Sequence, residues 1–508
     1  MLQIQNLTIV HRQDNRPLLE DFTFSLQKGD KAVIIGEEGN GKSTLLRYIA
    51  DPTLIESYAE ATGNVLTSGL ILGYLPQSLP EEDARKTVYE FFADEPNFWT
   101  EMPRELSASL GFDPDLFYSD QKLGTLSGGE KVKIQMARIL LQQPDVLLLD
   151  EPSGDLDLTS LEWLETFIGN APQPVLFISH DETLIERTAD VIIHLEMPQG
   201  GRVLRHTICR QPYSEYIAAR QAGIEKQTQL AHSEERDYQK QMQRFYQIQQ
   251  KVEHQLRTIT RQDPAGGRLL KKKMKAVKSQ QHRFEKAHEN QTQVPHVELA
   301  ILAPFDPSIK LPAGKCVLDL SLSQLALENR TLAKDLSLRV MGGEKICIIG
   351  KNGCGKTTLM KQIAAQLLPR ADIQTGYMPQ NYTDQLNMQQ TPLEFLASTG
   401  TKEETTKIRT YLGSMRYTID EMFHPIAALS GGQQAKLLFL KMILDGDNVL
   451  LLDEPTRNFS PLSGPVIRRV LQDFHGTIIS VSHDRKYMEE VCDKVYRLTE
   501  EGLVQERD

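Results

Sequence analysis

Residues 31–44 read KAVIIGEEGNGKST, a short apolar run that leads into a glycine-rich loop and then into Lys42 and Ser43. This order is typical of a buried strand, a phosphate-binding loop and the start of a helix. The loop glycines let backbone N–H groups surround phosphate oxygens, and the helix dipole adds positive charge behind them. The stretch therefore predicts a P-loop, in which Lys42 reaches the β- and γ-phosphates and Ser43 binds Mg²⁺.

The same stretch occurs again at residues 345–358, which read KICIIGKNGCGKTT and supply Lys356 and Thr357. Four further motifs follow in both halves, and from the glutamine motif onward each pair is separated by 303 positions. The P-loops are separated by 314 positions, so the first half carries eleven extra residues between its P-loop and Gln77. A tandem duplication with one insertion explains this pattern. The other repeated motifs are YLPQ (74–77) and YMPQ (377–380), LSGGE (126–130) and LSGGQ (429–433), VLLLDEP (146–152 and 449–455), and ISHD (178–181) and VSHD (481–484).

Each half alternates short apolar runs with helical stretches, which predicts an α/β fold on a largely parallel sheet. We expect the helices after the P-loops to start at Lys42 and Lys356. We expect buried strands at residues 31–35, 146–149 and 175–178 of the first half, and at 345–349, 449–452 and 477–481 of the second.

The strands at 146–149 and 449–452 each end in an acidic pair, Asp150-Glu151 and Asp453-Glu454. A carboxylate at the end of a strand beside a P-loop can hold the metal ion of a bound nucleotide. The next carboxylate is placed to polarise the attacking water. A lone Asp-Glu pair is more often a helix cap, but two copies in the same context favour the catalytic interpretation.

The composition limits the class of protein. A chain of 508 residues is too long for one core, and its 40% hydrophobic and 25% charged content is ordinary for a soluble protein. No apolar run approaches a membrane span, and Met1–Thr8 lacks the regions of a signal peptide. The five cysteines are scattered, which argues against a zinc or iron–sulfur framework and suits a reducing compartment. We therefore expect a cytoplasmic protein.

A charged, glutamine-rich stretch separates the two halves. Apolar side chains from Tyr238 to Ile259 recur at spacings of three, four and seven, and the pattern resumes from Leu270 to Phe284. Between them, residues 260–267 read TRQDPAGG, which we expect to end one helix and reverse the chain. We therefore predict domain 1 at residues 1–205, an interdomain linker at 206–300 that forms a long antiparallel helical hairpin with its tip at about 260–268, and domain 2 at 301–508.

The hairpin is strongly basic. Residues 251–286 contain eleven Lys or Arg against three acidic residues, a net charge of +8 in a chain whose net charge is −11. Such a projection fits nucleic-acid phosphate. A solvated coiled coil whose lysines maintain solubility is an equally good explanation of the charge alone.

Taken together, the motifs resemble those of the ABC ATPase superfamily, over roughly residues 1–205 and 315–508. LSGGE and LSGGQ match its signature motif, and His180 and His483 match its switch histidine. The resemblance implies a head-to-tail sandwich of the two modules, with each ATP between the P-loop of one and the signature of the other. It also implies that Glu151 and Glu454 are catalytic bases assisted by His180 and His483.

The resemblance implies the following site residues. The ATP-binding residues would be Gly36, Gly39, Gly41, Lys42, Ser43, Thr44, Gln77, Ser127, Gly128 and Gly129, and in the second half Gly350, Gly353, Gly355, Lys356, Thr357, Thr358, Gln380, Ser430, Gly431 and Gly432. The Mg²⁺ ligands would be Ser43, Gln77 and Asp150 at one site, and Thr357, Gln380 and Asp453 at the other.

Two departures from the family pattern predict unequal sites. The first P-loop has Glu37 and Glu38, which add negative charge where phosphates bind. After the acidic pair, the first half keeps Asp157, whereas Ser460 stands at that position in the second half.

Two modules, a charged two-helix linker and no membrane domain resemble the ABC-F family. That resemblance implies a monomer that binds the 70S ribosome through the tRNA exit site, with the tip near 23S rRNA, the P-site tRNA and the peptidyl-transferase centre. The equal 49-residue interval from glutamine to signature in both halves, the short tip and the stretch 456–461 resemble the antibiotic-resistance branch of lincosamide, streptogramin A and pleuromutilin type. A short-linker translation factor would look similar, and an importer ATPase subunit working with a separate permease is the alternative. The candidate RNA-binding residues are Arg257, Arg261, Asp263, Pro264, Gly266, Gly267, Arg268, Lys271, Lys272, Lys273, Lys275 and Lys278.

Overall fold

The structure, a computed structural model, describes residues 1–67, 69–154, 156–196, 205–258, 264–288, 304–327, 330–415 and 417–507. The chain divides into two compact units. One unit comprises Met1–Tyr213 with Glu298–Asp508, and contains both modules. The other is Ser214–Val297.

The first module is built on two sheets. Its main sheet has the order β5-β6-β7-β3-β8-β9, in which only the β8–β9 pair is antiparallel, and a smaller antiparallel sheet has the order β2-β1-β4. The elements in chain order are β1 (Leu2–His11), β2 (Pro17–Leu26), β3 (Lys31–Gly36), α1 (Lys42–Ala50), β4 (Ala59–Leu66), β5 (Leu72–Leu75), α2 (Glu81–Arg85), α3 (Val88–Phe92), α4 (Met102–Leu110), α5 (Gly128–Leu141), β6 (Val146–Asp150), α6 (Leu158–Asn170), β7 (Val175–Ile178), α7 (Glu182–Thr188), β8 (Val191–Glu196) and β9 (Arg205–Cys209).

The unit between the modules contains two helices, α8 (Tyr213–Thr258) and α9 (Pro264–His288). The Phe245 and Phe284 ring centroids lie 5.4 Å apart, so the two helices run side by side. Val252 and Val277, two members of the predicted apolar seam, are buried. The predicted tip needs a correction, because Pro264, Gly266 and Gly267 lie in the first turn of α9 rather than in a turn. Proline is well tolerated at the first helical position, where its missing N–H has no intrahelical partner to lose.

The second module repeats the main sheet. Its order is β13-β14-β15-β12-β16-β17, again antiparallel only at the last pair, beside a two-stranded sheet of β10 and β11. The elements are β10 (Cys316–Leu327), β11 (Arg330–Met341), β12 (Lys345–Ile349), α10 (Lys356–Leu367), β13 (Thr375–Met378), α11 (Pro392–Leu396), α12 (Lys402–Ser414), α13 (Ile419–Phe423), α14 (Gly431–Asp445), β14 (Val449–Asp453), α15 (Gly464–Gln472), β15 (Thr477–Val481), α16 (Arg485–Glu490), β16 (Lys494–Thr499) and β17 (Gly502–Arg507).

The burial of the central strands explains why apolar runs in the sequence predicted them. Every residue of β3, β6, β7, β14 and β15 is buried. Parallel strands are covered on both faces, so they require continuous rather than alternating apolar sequence. The six predicted strands and the two helix starts at Lys42 and Lys356 are confirmed. The extra residues of the first half supply β4, which extends the smaller sheet by pairing with β1.

None of the described helices has the length and apolar character needed to cross a membrane.

Candidate functional site

The two P-loops have the same conformation. Lys42 Nζ donates hydrogen bonds to the carbonyl oxygens of Gly36 and Glu37 at 2.9 and 2.8 Å, and Lys356 Nζ bonds Gly350 and Lys351 at 2.9 and 3.0 Å. Gly41 and Gly355, at the N-caps of α1 and α10, have φ angles of 76° and 103°. These left-handed values favour glycine, and they let each loop wrap around its own lysine at a helix N-terminus.

The strand-end aspartates lie beside the P-loop hydroxyls, as predicted. Ser43 Oγ donates to Asp150 Oδ1 at 2.8 Å, and Thr357 hydrogen-bonds Asp453. Burial raises the pKa of both carboxyl groups. Asp453 is 1% exposed, and its Oδ2 has no hydrogen-bond partner among the described residues. A buried carboxylate oxygen in need of a partner, next to a threonine hydroxyl, fits a divalent cation.

The glutamates that follow these aspartates have a rare backbone conformation. Glu151 and Glu454 have φ angles of 50° and 56°. Non-glycine residues seldom adopt such angles, which cost about 1–3 kcal/mol and concentrate at functional sites. The strain occurs at the same position of both modules, immediately after β6 and β14.

In the first module, Glu151 is held by two predicted partners. Gln77 Nε2 donates to its Oε2 at 2.9 Å, and His180 Nε2 lies 3.2 Å from its Oε1. Burial raises the pKa of Glu151, but the hydrogen bond from His180 and the charges of His180 and Lys42 lower it further, so the net shift is downward. Glu151 is therefore ionised at neutral pH.

In the second module, the corresponding pair is looser and more deeply buried. His483 Nε2 is 3.8 Å from Glu454 Oε1, and the His483 backbone N–H is 3.4 Å from Oε2. Burial and the charge of Asp453 raise the pKa of Glu454 to about 8. Burial and Lys356 lower the pKa of His483 to about 4. The two glutamates thus differ in charge at neutral pH. Unequal turnover of the two sites, expected from Glu37, Glu38 and Ser460, stays a prediction.

A cavity of about 1030 Å³ joins the two modules. Its walls come from the P-loop of the second module, including Lys356, Thr357 and Thr358, and from the signature of the first, including Ser127 and Gly128. Gln380, Asp453, Glu454 and His483 also line it. This is the head-to-tail arrangement that the family resemblance implied. The polar groups of one module face the signature of the other across the cavity.

In the reverse combination, the first P-loop contacts the second signature directly. Glu38 Oε2 accepts a hydrogen bond of 2.8 Å from the Gly432 backbone N–H. At the cavity, the P-loop supplies the donor instead of the acceptor. Asp157 of the first module accepts a hydrogen bond from the backbone N–H of Asn352 in the second P-loop. Asn352 occupies the position of Glu38. The carboxylate that links the modules is therefore on the P-loop at one site and on the opposite module at the other.

The signature serines are already engaged as helix caps. Ser127 caps α5 together with Glu130, and Ser430 caps α14 together with Gln433, each in a reciprocal capping box. The first backbone N–H groups of each helix, at Gly128, Gly129, Gly431 and Gly432, have no intrahelical acceptor, and that of Gly432 binds Glu38 of the opposite module.

Sequence reasoning missed backbone groups that cross between modules. The Phe459 carbonyl oxygen accepts from His180 Nδ1 at 2.9 Å, and the N–H of Asn352 binds Asp157. No side-chain motif marks a backbone donor or acceptor, so only the known head-to-tail geometry could have identified them.

The candidate RNA-binding residues lie in the separate helical unit. The described side chains of Arg257, Arg268, Lys271, Lys272, Lys273, Lys275 and Lys278 are all exposed. Leu269 beside them is also 71% exposed. Arg261 and Asp263 lie outside the described residues.

Comparison with known proteins gives a consistent result. The ABC transporter family model matches residues 19–154 and 333–457. ABC transporter F family member 5 of Arabidopsis thaliana is 25% identical over 545 residues, which cover 96% of this chain and 74% of that protein. The ATP-binding protein Uup of Haemophilus influenzae is 25% identical over 535 residues, 96% of this chain and 77% of that one. The solved structure of the archaeal ribosome recycling factor aABCE1, in complex with the ribosomal stalk protein aP1, matches with a TM-score of 0.60 and 16% identity, covering 98% of this chain and 90% of that one. At that identity, the match shows a shared fold.

Proposed function

The chain belongs to the ABC transporter family and is an ATPase, and from this premise we propose that it is an ATP-dependent ribosome-binding protein of the ABC-F type. ATP would bring the two modules together, and the basic α8–α9 pair would contact ribosomal RNA near the peptidyl-transferase centre through the tRNA exit site. The outcome would be ribosomal protection against an antibiotic, or regulation of translation. Hydrolysis would release the protein.

The nucleotide sites support the first step. Lys356 and the N–H groups around it form an anion-binding loop, and Thr357, Asp453 and Gln380 are placed to hold Mg²⁺ beside it. No cluster of three or more metal-ligating His, Cys, Asp or Glu occurs among the described residues. Magnesium in such sites is held by one or two carboxylates together with substrate phosphates, so a site without such a cluster fits Mg²⁺ binding. Bound Mg²⁺ would neutralise phosphate charge, while Glu454 would orient water and, once it has lost its own proton, accept a proton from that water.

The observation that carries the ribosome proposal is the exposed basic surface of α8 and α9. Ten of the eleven Lys and Arg residues at 251–286 lie in the described part of the chain, and all ten are exposed. Positive charge without base-specific geometry suits the RNA backbone, which positions a protein without reading its sequence. Exposed Leu269 adds an apolar group next to Arg268.

The comparisons support the same choice among the many functions of the fold. One relative is named as a member of an F family, and one structural neighbour is a ribosome recycling factor bound to a ribosomal protein. Fold similarity alone does not assign a function. The combination with the basic helical unit favours the ribosome over a transporter permease.

Co-sedimentation with 70S ribosomes tests the proposal. The double variant Glu151→Gln, Glu454→Gln should bind ATP without hydrolysing it, because the amide cannot accept the proton of water. We expect it to pellet with ribosomes only when ATP is present. Adding K271E/K272E/K273E should reduce the pelleted fraction roughly tenfold or more, since each lost phosphate contact weakens binding.

A matched control reverses three exposed charges outside residues 251–286 on the same helical pair. The variant K226E/R236E/K240E carries the same change in net charge and should pellet almost normally. Failure of the ATP-bound double variant to pellet would contradict the proposal. Copurification with an integral membrane protein instead would favour the importer ATPase.

A further inference from the structure

The contact between the modules contains four charged residues at equivalent positions of the duplication. Glu165 in α6 corresponds to Arg468 in α15, and Glu182 in α7 corresponds to Arg485 in α16. Each pair is separated by 303 positions, the same offset as the signature serines. Both positions are acidic in the first module and basic in the second.

The four residues pair across the contact in a crossed arrangement. Arg468 Nη1 and Nη2 donate to Glu182 Oε1 and Oε2 at 2.8 and 3.2 Å, which makes a bidentate guanidinium–carboxylate ion pair. Arg485 Nη2 donates to Glu165. The first module therefore supplies the carboxylate of both ion pairs, and the second module supplies both guanidinium groups. The two ion pairs are related by the symmetry of the duplication.

These pairs are buried, unlike ordinary surface ion pairs. The side chains of Arg468, Glu182 and Glu165 are 3%, 8% and 8% exposed, and that of Arg485 is 14% exposed. Burial lowers the pKa of Arg468, but its hydrogen bonds to Glu182 and Glu490 raise it further, so the guanidinium stays charged. A buried charge without its partner is strongly unfavourable. Glu182 and Arg485 pair with residues of the opposite module, whereas Glu165 and Arg468 each have a second partner in their own module, Arg187 and Glu490.

The fit is specific in shape as well as charge. A Cβ at Gly464, the first residue of α15, would lie 2.2 Å from Glu182 Oε1 and 2.8 Å from Arg468 Nη1. Leu161 occupies the equivalent position of the first module. Only the second module therefore has room for the Glu182 carboxylate at this point.

We propose that these four residues are a charge code that makes the first module pair with the second, and with no copy of itself. A contact between two first modules would bring four carboxylates together, and one between two second modules would bring four guanidinium groups together. Like charges at such a contact are strongly unfavourable, which excludes the wrong partner. The partner that this contact recognises is thus the other half of the same chain. This inference goes beyond the proposed function in translation.

The code is connected to the nucleotide sites. Glu182 is two residues after His180, and Arg485 is two residues after His483, so α7 and α16 begin immediately beyond the histidines that contact Glu151 and Glu454. Asp181 and Asp484, between them, cap the two helices. Correct pairing therefore sets the positions of both histidines, and ATPase activity is a suitable readout of it.

Three full-length variants test the code. E165R/E182R places four arginines at the contact, R468E/R485E places four glutamates there, and E165R/E182R/R468E/R485E exchanges the signs completely while keeping the net charge. We expect each double variant to lose roughly 10- to 100-fold in ATPase activity and to unfold at lower temperature. The complete exchange of these four residues should regain part of the activity, because opposite charges again face each other in both ion pairs. Lys486 and Asp181, which contact Glu182 and Arg485 from the opposite module, keep their charges in this variant.

A control variant, E82R/E105R, changes the net charge of the first module by the same amount at two exposed positions and should keep normal activity. Full activity in the two double variants would overturn the code. So would a complete exchange that is no more active and no more heat-stable than the doubles. The assay needs no ribosomes, so its result is independent of the ribosome proposal.

Discussion

Glu38 and Asn352 occupy the same position of the two P-loops but reach the opposite module through different groups. Glu38 uses its carboxylate to bind the Gly432 N–H, whereas Asn352 uses its backbone N–H to bind Asp157. The Gly432 N–H belongs to the signature, where the family arrangement places phosphate. A carboxylate and a phosphate are both anions, so we expect Glu38 to compete with nucleotide for this group at the site of Lys42.

At the residue scale, we therefore predict that Glu38→Asn strengthens ATP binding at the first site. Two unit charges about 4 Å apart interact by about 4 kcal/mol at an effective dielectric constant of 20. Glu38 is exposed, so solvent screening leaves about 1 kcal/mol, roughly a fivefold gain in affinity. The affinity of the first site can be measured by titration with a fluorescent ATP analogue. A Lys356→Ala background disables the other site.

The reciprocal change, Asn352→Glu, provides the control for this prediction. In a Lys42→Ala background it should weaken binding at the cavity by a similar factor. Unchanged affinity in both variants would show that the carboxylate does not reach the phosphate-binding group.

At the scale of the element, α8 and α9 form a unit with a thin core. Phe245 and Phe284 contact each other, Val252 and Val277 are buried, and most other side chains are polar and exposed. A 46-residue helix is about 69 Å long, and polar surface helices of this kind depend on a few apolar contacts.

We predict that Phe284→Ala loosens this pair of helices without altering ATP hydrolysis in the modules. Losing a partly buried aromatic contact costs about 2–3 kcal/mol, a large share of what so thin a core supplies. Hydrogen exchange should accelerate in α9 and in the facing part of α8, while β3 and β14 keep their protection. Changing exposed Tyr246 of α8, the neighbour of Phe245, to Ala should leave exchange nearly unchanged, and equal effects of the two changes would argue against the seam.

The same scale shows what could be read from sequence. The parallel strands were predictable because burial on both faces requires unbroken apolar runs, and each run led into a recognisable loop. The start of α9 was not predictable, because proline and paired glycines normally end helices. In the structure, Pro264 takes the first helical position. The strand β4 was seen only as eleven surplus residues, since its sequence AEATGNVL has a weak alternating pattern.

At the scale of the whole molecule, the site is shared between two halves of the chain whose equivalent positions are separated by 303 to 314 residues. Lys356 and Ser127 line one cavity, and Glu38 and Gly432 close the other combination. The motifs were predictable one by one. The contacts of Glu165, Glu182, Arg468 and Arg485 were not, because long-range pairing leaves no local pattern, although comparing charge at equivalent positions would have revealed the reversal.

We predict that ATP with Mg²⁺ stabilises both modules together. A ligand bound to both halves at a concentration 100 times its Kd adds about 2.7 kcal/mol to the free energy of unfolding. In Glu151→Gln, Glu454→Gln, the Tm of the modules should rise by several degrees as one transition in differential scanning calorimetry. Removing Mg²⁺ with a chelator should abolish the increase, and separate transitions with only one shifted would contradict a shared site.

The reversed charges of α6 and α15, and of α7 and α16, also bear on how the gene can change. Two similar halves of one gene can recombine or convert one another, which tends to make repeats uniform. A conversion tract that copied the segment for Glu165 and Glu182 onto the second half would set four carboxylates against one another in the folded product. If the double variant R468E/R485E loses activity as we expect, selection would remove such alleles. The contact between the modules therefore preserves the difference between the two halves of the gene that encodes it.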